Sequence, residues 1–137
     1  MLKISAKRKE DFKQDKEYVL TYLKSRNVND TDYLKLIEEN DFGFLEENTF
    51  YVDGYEYSVD AFCTCSQISG LDIKGVNKNH KTDTGGEIVI AGVWGDDAIC
   101  MNINTGEILL WLIETGEWEK VHVANSFKEF ISQITYV

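Results

Sequence analysis

Between residues 87 and 123 the pattern of apolar and polar positions resolves into four short strand-like runs: Ile88 to Trp94, Ala98 to Ile103, Ile108 to Ile113 and Trp118 to Val123. Runs of this length with a side-chain period near two predict strands that turn one face to a core. Their connectors, "GDD", "NTGE" and "ETGE", are too short for a crossover, so the strands must run antiparallel as a meander. The repeated Thr-Gly-Glu suits a type I turn followed by glycine in the left-handed conformation. "ILLWLI" is apolar on both faces and predicts the most buried strand.

Helical periodicity frames this meander. In residues 10 to 25, Phe12, Val19 and Leu23 share one stripe, with Tyr22 beside it. "NDTDYLKLIEENDFG" predicts a second, short helix in which Asp30 or Thr31 caps the start, Leu34 and Ile37 face inward and Gly43 suits the exit. "TFYVDGYEYSV" places Asp53-Gly54 between two aromatic-rich runs, a strong hairpin signal. "DAFCTCSQI" fits a strand or a short helix. Residues 69 to 86, polar and dotted with glycine, predict a surface loop interrupted at most by Ile73 and Val76. In "ANSFKEFISQI", Ser126 and Glu129 form a capping box, and Phe127, Phe130, Ile131 and Ile134 make an apolar face. The predicted class is α+β: a single domain over residues 1–137, an antiparallel meander of about four to six strands with N-terminal helices and a C-terminal helix packed on it.

Charge adds a direction to this outline. The 137 residues carry a formal net charge of −10, unevenly placed. Residues 1 to 26 hold eight Lys/Arg against four Asp/Glu, and the remainder six against twenty. Residues 30 to 60 hold ten acids and only Lys35 as a base. Such a surface repels nucleic acid and favours encounter with a basic partner. The start, "MLKISAKRKEDFKQDK", lacks the apolar run of a secretion signal, and no stretch approaches the roughly 20 apolar residues of a membrane span. Three cysteines fit reduced thiols better than a disulfide framework. The expected setting is the cytoplasm, with neither membrane nor nucleic acid as a partner.

The candidate chemistry is thin. Asp96 and Asp97 are adjacent, and neighbours on an extended strand point to opposite faces, so they do not converge on a metal or flank one bond. Placed in a tight turn, both would lie in water, with little to shift their pKa values toward acid–base work. Cys63 and Cys65, with Cys100 and His80, lack zinc-finger spacing. A hydrolase or metal protein built on these groups is the weakest reading. His122, between Val121 and Val123, should point outward. The acid pairs Glu38-Glu39 and Glu46-Glu47 lack the spacing of a calcium loop. No enzyme activity, cofactor or metal is expected. The aromatic hairpin with carboxylates around it instead suits a protein-binding surface. Glu46, Glu47, Asp53, Tyr55, Glu56, Trp94, Asp96 and Asp97 are the candidate contact residues. For Phe50, Tyr55 and Tyr57, taken singly, burial in the core is the expectation.

"EIVIAGVWGDDAICMNINTGEILLW" followed by "VHVANSFKEFISQI" resembles the SUKH superfamily, the Smi/Knr-like proteins named partly for fungal cell-wall-assembly regulators. Gly95, Asp96, Asp97, Thr105, Gly106, Ala124, Ser126, Phe127, Glu129 and Phe130 carry the resemblance, with a weaker echo in "FYVDGYEYSV". The chain departs from the family pattern in having no proline, so "EENDFGFLEEN" is a divergent counterpart of a Leu-Pro segment. The resemblance implies a bacterial immunity protein that binds and neutralises a cognate toxin, from a contact-dependent or polymorphic system and frequently a nuclease, by stoichiometric interaction. The alternative it implies is a regulatory scaffold related to the fungal proteins.

Overall fold

A computed structural model describes residues 16–39, 49–62, 73–82, 85–93, 97–112 and 119–134. Its elements in chain order are α1 (Lys16–Ser25), α2 (Thr31–Glu39), β1 (Thr49–Val52), β2 (Tyr55–Phe62), α3 (Ile73–Asn79), β3 (Glu87–Val93), β4 (Asp97–Asn102), β5 (Ile108–Leu112), β6 (Glu119–Ala124) and α4 (Phe127–Gln133). The six strands form one antiparallel sheet in the order β1-β2-β3-β4-β5-β6. Short connections force neighbouring strands to pair, except between β2 and β3, where α3 intervenes. The fold is therefore α+β, with helices from both ends of the chain packed on a six-stranded meander.

Local chemistry accounts for most element ends. Asp53 and Gly54 both take positive φ, 52° and 83°, as a two-residue type I′ hairpin turn requires. Gly106, at φ 80°, closes the β4–β5 turn, where Asn102 Oδ1 accepts from the amides of Asn104 and Thr105. Asp30 caps α2 by accepting the Tyr33 amide at 2.9 Å, and Ser126 caps α4 by accepting the Glu129 amide at 3.1 Å. Helix α1 ends in a Schellman motif. Asn27 is left-handed, its amide reaches Lys24 O and the Val28 amide reaches Leu23 O, with Val28 and Leu23 both buried.

Ile88, Ile99, Met101, Ile108 and Leu110 from the sheet join Leu23, Tyr33, Phe127 and Phe130 from the helices in one core. Tyr33 meets Phe127 edge to face at 5.0 Å, and Phe130 meets Phe50 of β1 at 5.5 Å. Leu34 packs against this core as expected, though half-buried, and Tyr33 beside it is the fully buried residue of α2. Phe12, the side chain of Ile37, and Gly43 lie outside the described residues.

Two expectations are corrected. The most buried strand is β4, buried at five of six positions, whereas β5 is buried at three of five and half-buried at the other two. The strand order explains this: β4 is central, while β5 lies next to the edge strand β6. The polar stretch 69 to 86 is not simply a surface loop, because it contains α3, with Ile73 and Asn77 completely buried. Asn77 serves as a strand surrogate. The last β2–β3 pair among the described residues is Phe62↔Ala91, and beyond it the carboxamide of Asn77 takes both backbone groups of Val89. Its Oδ1 accepts from Val89 N at 2.8 Å, and its Nδ2 donates to Val89 O at 3.1 Å and to Ile73 O at 2.8 Å. The Thr82 hydroxyl donates to the same Oδ1 at 2.8 Å. The irregular β3–β4 register lies immediately beside this contact, between Val89 and Ala91.

Register irregularities also occur between β2 and β3 and between β5 and β6. Bulges of this kind increase local twist and coiling. The sheet accordingly curls until residues of its two outermost strands, β1 and β6, face each other across a groove.

Candidate partner-binding surface

The β1–β2 hairpin sorts its aromatics by register. Phe50↔Tyr57 and Val52↔Tyr55 are cross-strand pairs on the face turned toward the core. Phe50 is fully buried and stacks with Tyr57 at 5.7 Å. Tyr57 is half-buried, and Tyr55, on the same face but at the hairpin's tip, is 70% exposed. Core burial therefore holds for Phe50 and fails for Tyr55, because the hairpin extends past the edge of the layer that would cover it.

The opposite face carries the pair Tyr51↔Glu56. Tyr51 is 57% exposed, and its hydroxyl donates to Glu56 Oε1 at 3.2 Å. That hydrogen bond, followed by the charge of Glu56, raises the Tyr51 pKa above 10.0 and keeps the phenol neutral. Sequence reasoning missed Tyr51, although the two-residue turn at Asp53-Gly54 fixes this pairing once the hairpin is recognised.

Asp53, Tyr55 and Glu56 are exposed together at this tip. Asp97 belongs to the same neighbourhood but not to open solvent. It opens β4, opposite Val93, with 8% of its surface exposed. The expected turn position in water is corrected for Asp97: it pairs with Val93 as the first residue of β4 and is buried there. Its charge is felt by Tyr57, whose pKa is raised by burial first and then by Asp97, Tyr55, Asp53 and Glu119. The sheet's coiling thus gathers acids from the β1–β2 turn, β4 and β6 around one tyrosine. Glu46, Glu47, Trp94 and Asp96 lie outside the described residues, as do Cys63 and Cys65.

Beside the tip, Tyr51, Val52 and Asp53 form one wall of a groove of about 400 Å³. His122, Val123 and Gln133 form the other. His122 points outward, as alternation predicted, and its Nδ1 lies 2.7 Å from Glu107 Oε2. Two residues earlier on β6, Lys120 pairs with Glu87 at 2.7 Å and sits 4.6 Å from the centre of the Trp111 ring. His80 ends α3, and its Nδ1–H donates to Val76 O at 2.9 Å, since a carbonyl can only accept. Cys100 is buried within β4. Among the described residues, no three His, Cys, Asp or Glu side chains are grouped to hold a metal ion, and no helix is long and apolar enough to cross a membrane. This surface offers rigid aromatic area, carboxylates and a recess.

The family model described as the SMI1 / KNR4 family (SUKH-1) matches residues 30–133, from the Asp30 cap of α2 to the end of α4. The match includes the hairpin and α2, well beyond the C-terminal stretch whose motifs carry the resemblance in the sequence. No curated protein and no solved structure matches the chain.

Proposed function

We propose, from the premise that the chain belongs to the SMI1/KNR4 family (SUKH-1), that it is a cytoplasmic immunity protein. On this reading it neutralises a cognate basic toxin, with a nuclease the leading class, by one-to-one binding rather than by catalysis. The observation that carries the reading is the hairpin tip, where Tyr51 and Tyr55 stand exposed beside Asp53 and Glu56 on a chain of net charge −10. Exposed tyrosines supply anchoring area at low entropic cost, and carboxylates steer a cationic surface into place. A nuclease needs a basic groove for its phosphate substrate, so an acidic inhibitor competes for the charge that the substrate uses. The acid Glu119 on β6, felt at Tyr57, extends the same field across the sheet's end.

The experiment is co-expression with the product of the neighbouring gene. Rescue of growth and co-purification at one-to-one stoichiometry support the proposal. Weak binding to several unrelated proteins, without rescue, supports a regulatory scaffold instead and overturns it.

A further inference from the structure

We infer that the groove between β1 and β6 receives an arginine side chain of the partner protein, an inference that rests on the toxin-binding reading above. The groove lies where the sheet's two terminal strands approach each other, and no strand fills it among the described residues. Val52 and Val123 give it an apolar lining, each with only a sliver of its surface left open. Such a lining covers a methylene stem, as long cationic side chains require when they lay their stems on apolar surface and keep their heads polar.

The groove's polar groups select the head. Asp53 lines one wall and Gln133 the other, so a carboxylate and a carboxamide are at hand as acceptors. Tyr51 adds an aromatic ring whose hydroxyl is already committed to Glu56. A guanidinium presents five N–H donors in a plane and stacks on aromatic faces. It therefore uses two acceptors and a ring at once, where an ammonium acts as a point charge. His122 does not oppose the guest, because Glu107 at 2.7 Å balances its charge when the ring is protonated. A second copy of this chain is disfavoured as the occupant by repulsion between bodies of net charge −10, and shifts that depend on protein concentration in the absence of the arginine probe would point to it instead. Nucleic acid is disfavoured for the same reason.

Two arms of one experiment test this with the full chain. In the first, N-acetyl-arginine amide is titrated while backbone amide shifts are followed by NMR, with the citrulline analogue as the uncharged isostere. Saturable shifts are expected at Tyr51, Val52, Asp53, His122 and Val123, with a dissociation constant in the millimolar range. They should be absent with citrulline and weakened at least fivefold in Asp53→Asn, a replacement that tolerates the left-handed turn. Equal shifts from citrulline, or shifts spread over all acidic residues, overturn the inference.

In the second arm, Gln133→Arg places a guanidinium in the groove from its own helix end. The toxin identified by co-expression is expected to bind this variant at least tenfold more weakly, while the circular dichroism spectrum is unchanged. Wild-type affinity in this variant removes the arginine inference and leaves the immunity reading standing. If the neighbouring product binds neither form, the immunity reading fails, and the groove is judged on the first arm alone.

Discussion

Replacing Asn77 with alanine tests whether one buried carboxamide stands in for a missing strand. Asn77 has no exposed surface and makes four side-chain hydrogen bonds, two of them with the backbone of Val89. The truncation leaves the Val89 N–H and C=O without this partner in the sheet's interior. An orphaned buried polar group costs roughly 1–3 kcal/mol, so two give about 2–6 kcal/mol. The Ile73 carbonyl retains its helical environment, and Thr82 Oγ1 keeps Asn77 O at 3.2 Å as an acceptor, so neither adds a full penalty. Partial relaxation and entry of water bring the expected loss to the lower half, about 3 kcal/mol. With an m-value of roughly 1.5–2 kcal/mol/M for a chain of this size, the urea midpoint should fall by about 1.5–2 M at unchanged m. The Tm should fall by about 10 °C. Native-state hydrogen exchange should show the Val89 amide losing more protection than that of Ile99. A midpoint within roughly 0.3 M of wild type refutes the surrogate-strand account, since the ladder would then be satisfied without the carboxamide. Asn77→Asp sharpens the test: it keeps the acceptor oxygens, removes both donated bonds and introduces a buried charge, so it should be no more stable than the alanine variant.

Other outcomes follow from single features. Helix α3 ends with Lys81 in the left-handed conformation, where its amide reaches Lys78 O and the Thr82 amide reaches Asn77 O. Lys81→Gly should therefore stabilise the protein by about 0.5–1 kcal/mol in urea unfolding. Ser126→Ala removes the α4 cap and should cost about 1 kcal/mol by the same assay. Tyr57 holds its proton above the ordinary value of 10.0, chiefly through burial and then through Asp97. Its contribution to stability is therefore complete below that pH and is lost as pH rises through the folded-state value. Urea midpoints between about pH 9 and 11 should fall less steeply in Tyr57→Phe. Asp53→Asn with Glu56→Gln should slow association with the proposed toxin partner and flatten its salt dependence, measured by stopped flow at low and physiological ionic strength; an unchanged rate at low salt removes electrostatic steering by the hairpin.

The resemblance and the hydrophobic pattern agree on the C-terminal meander for a shared reason: tight turns and helix caps have strict local chemistry. Asp53-Gly54, Thr105-Gly106 and Ser126-x-x-Glu129 each solve a backbone problem within four residues, so the chain states them openly. The candidate surface was legible only in part. Asp53 and Glu56 stand at the exposed tip of the hairpin that Asp53-Gly54 signalled, and Tyr55 joins them there against the expectation of burial. Tyr51 was available from register alone, whereas His122, Val123 and Gln133 join the groove from sequence positions about seventy to eighty residues away.

What the sequence determined by itself was the antiparallel order of the last four strands, the hairpin turn and the capped ends of α2 and α4, because each depends on neighbours along the chain. The tertiary structure alone decided that β4 rather than β5 is most buried, that Asp97 leaves solvent, and that a polar stretch yields a helix whose Asn77 completes a sheet. Burial depends on which elements lie on either side in space, and a hydrogen-bond donor reads the same in a sequence whether its acceptor is water or a strand.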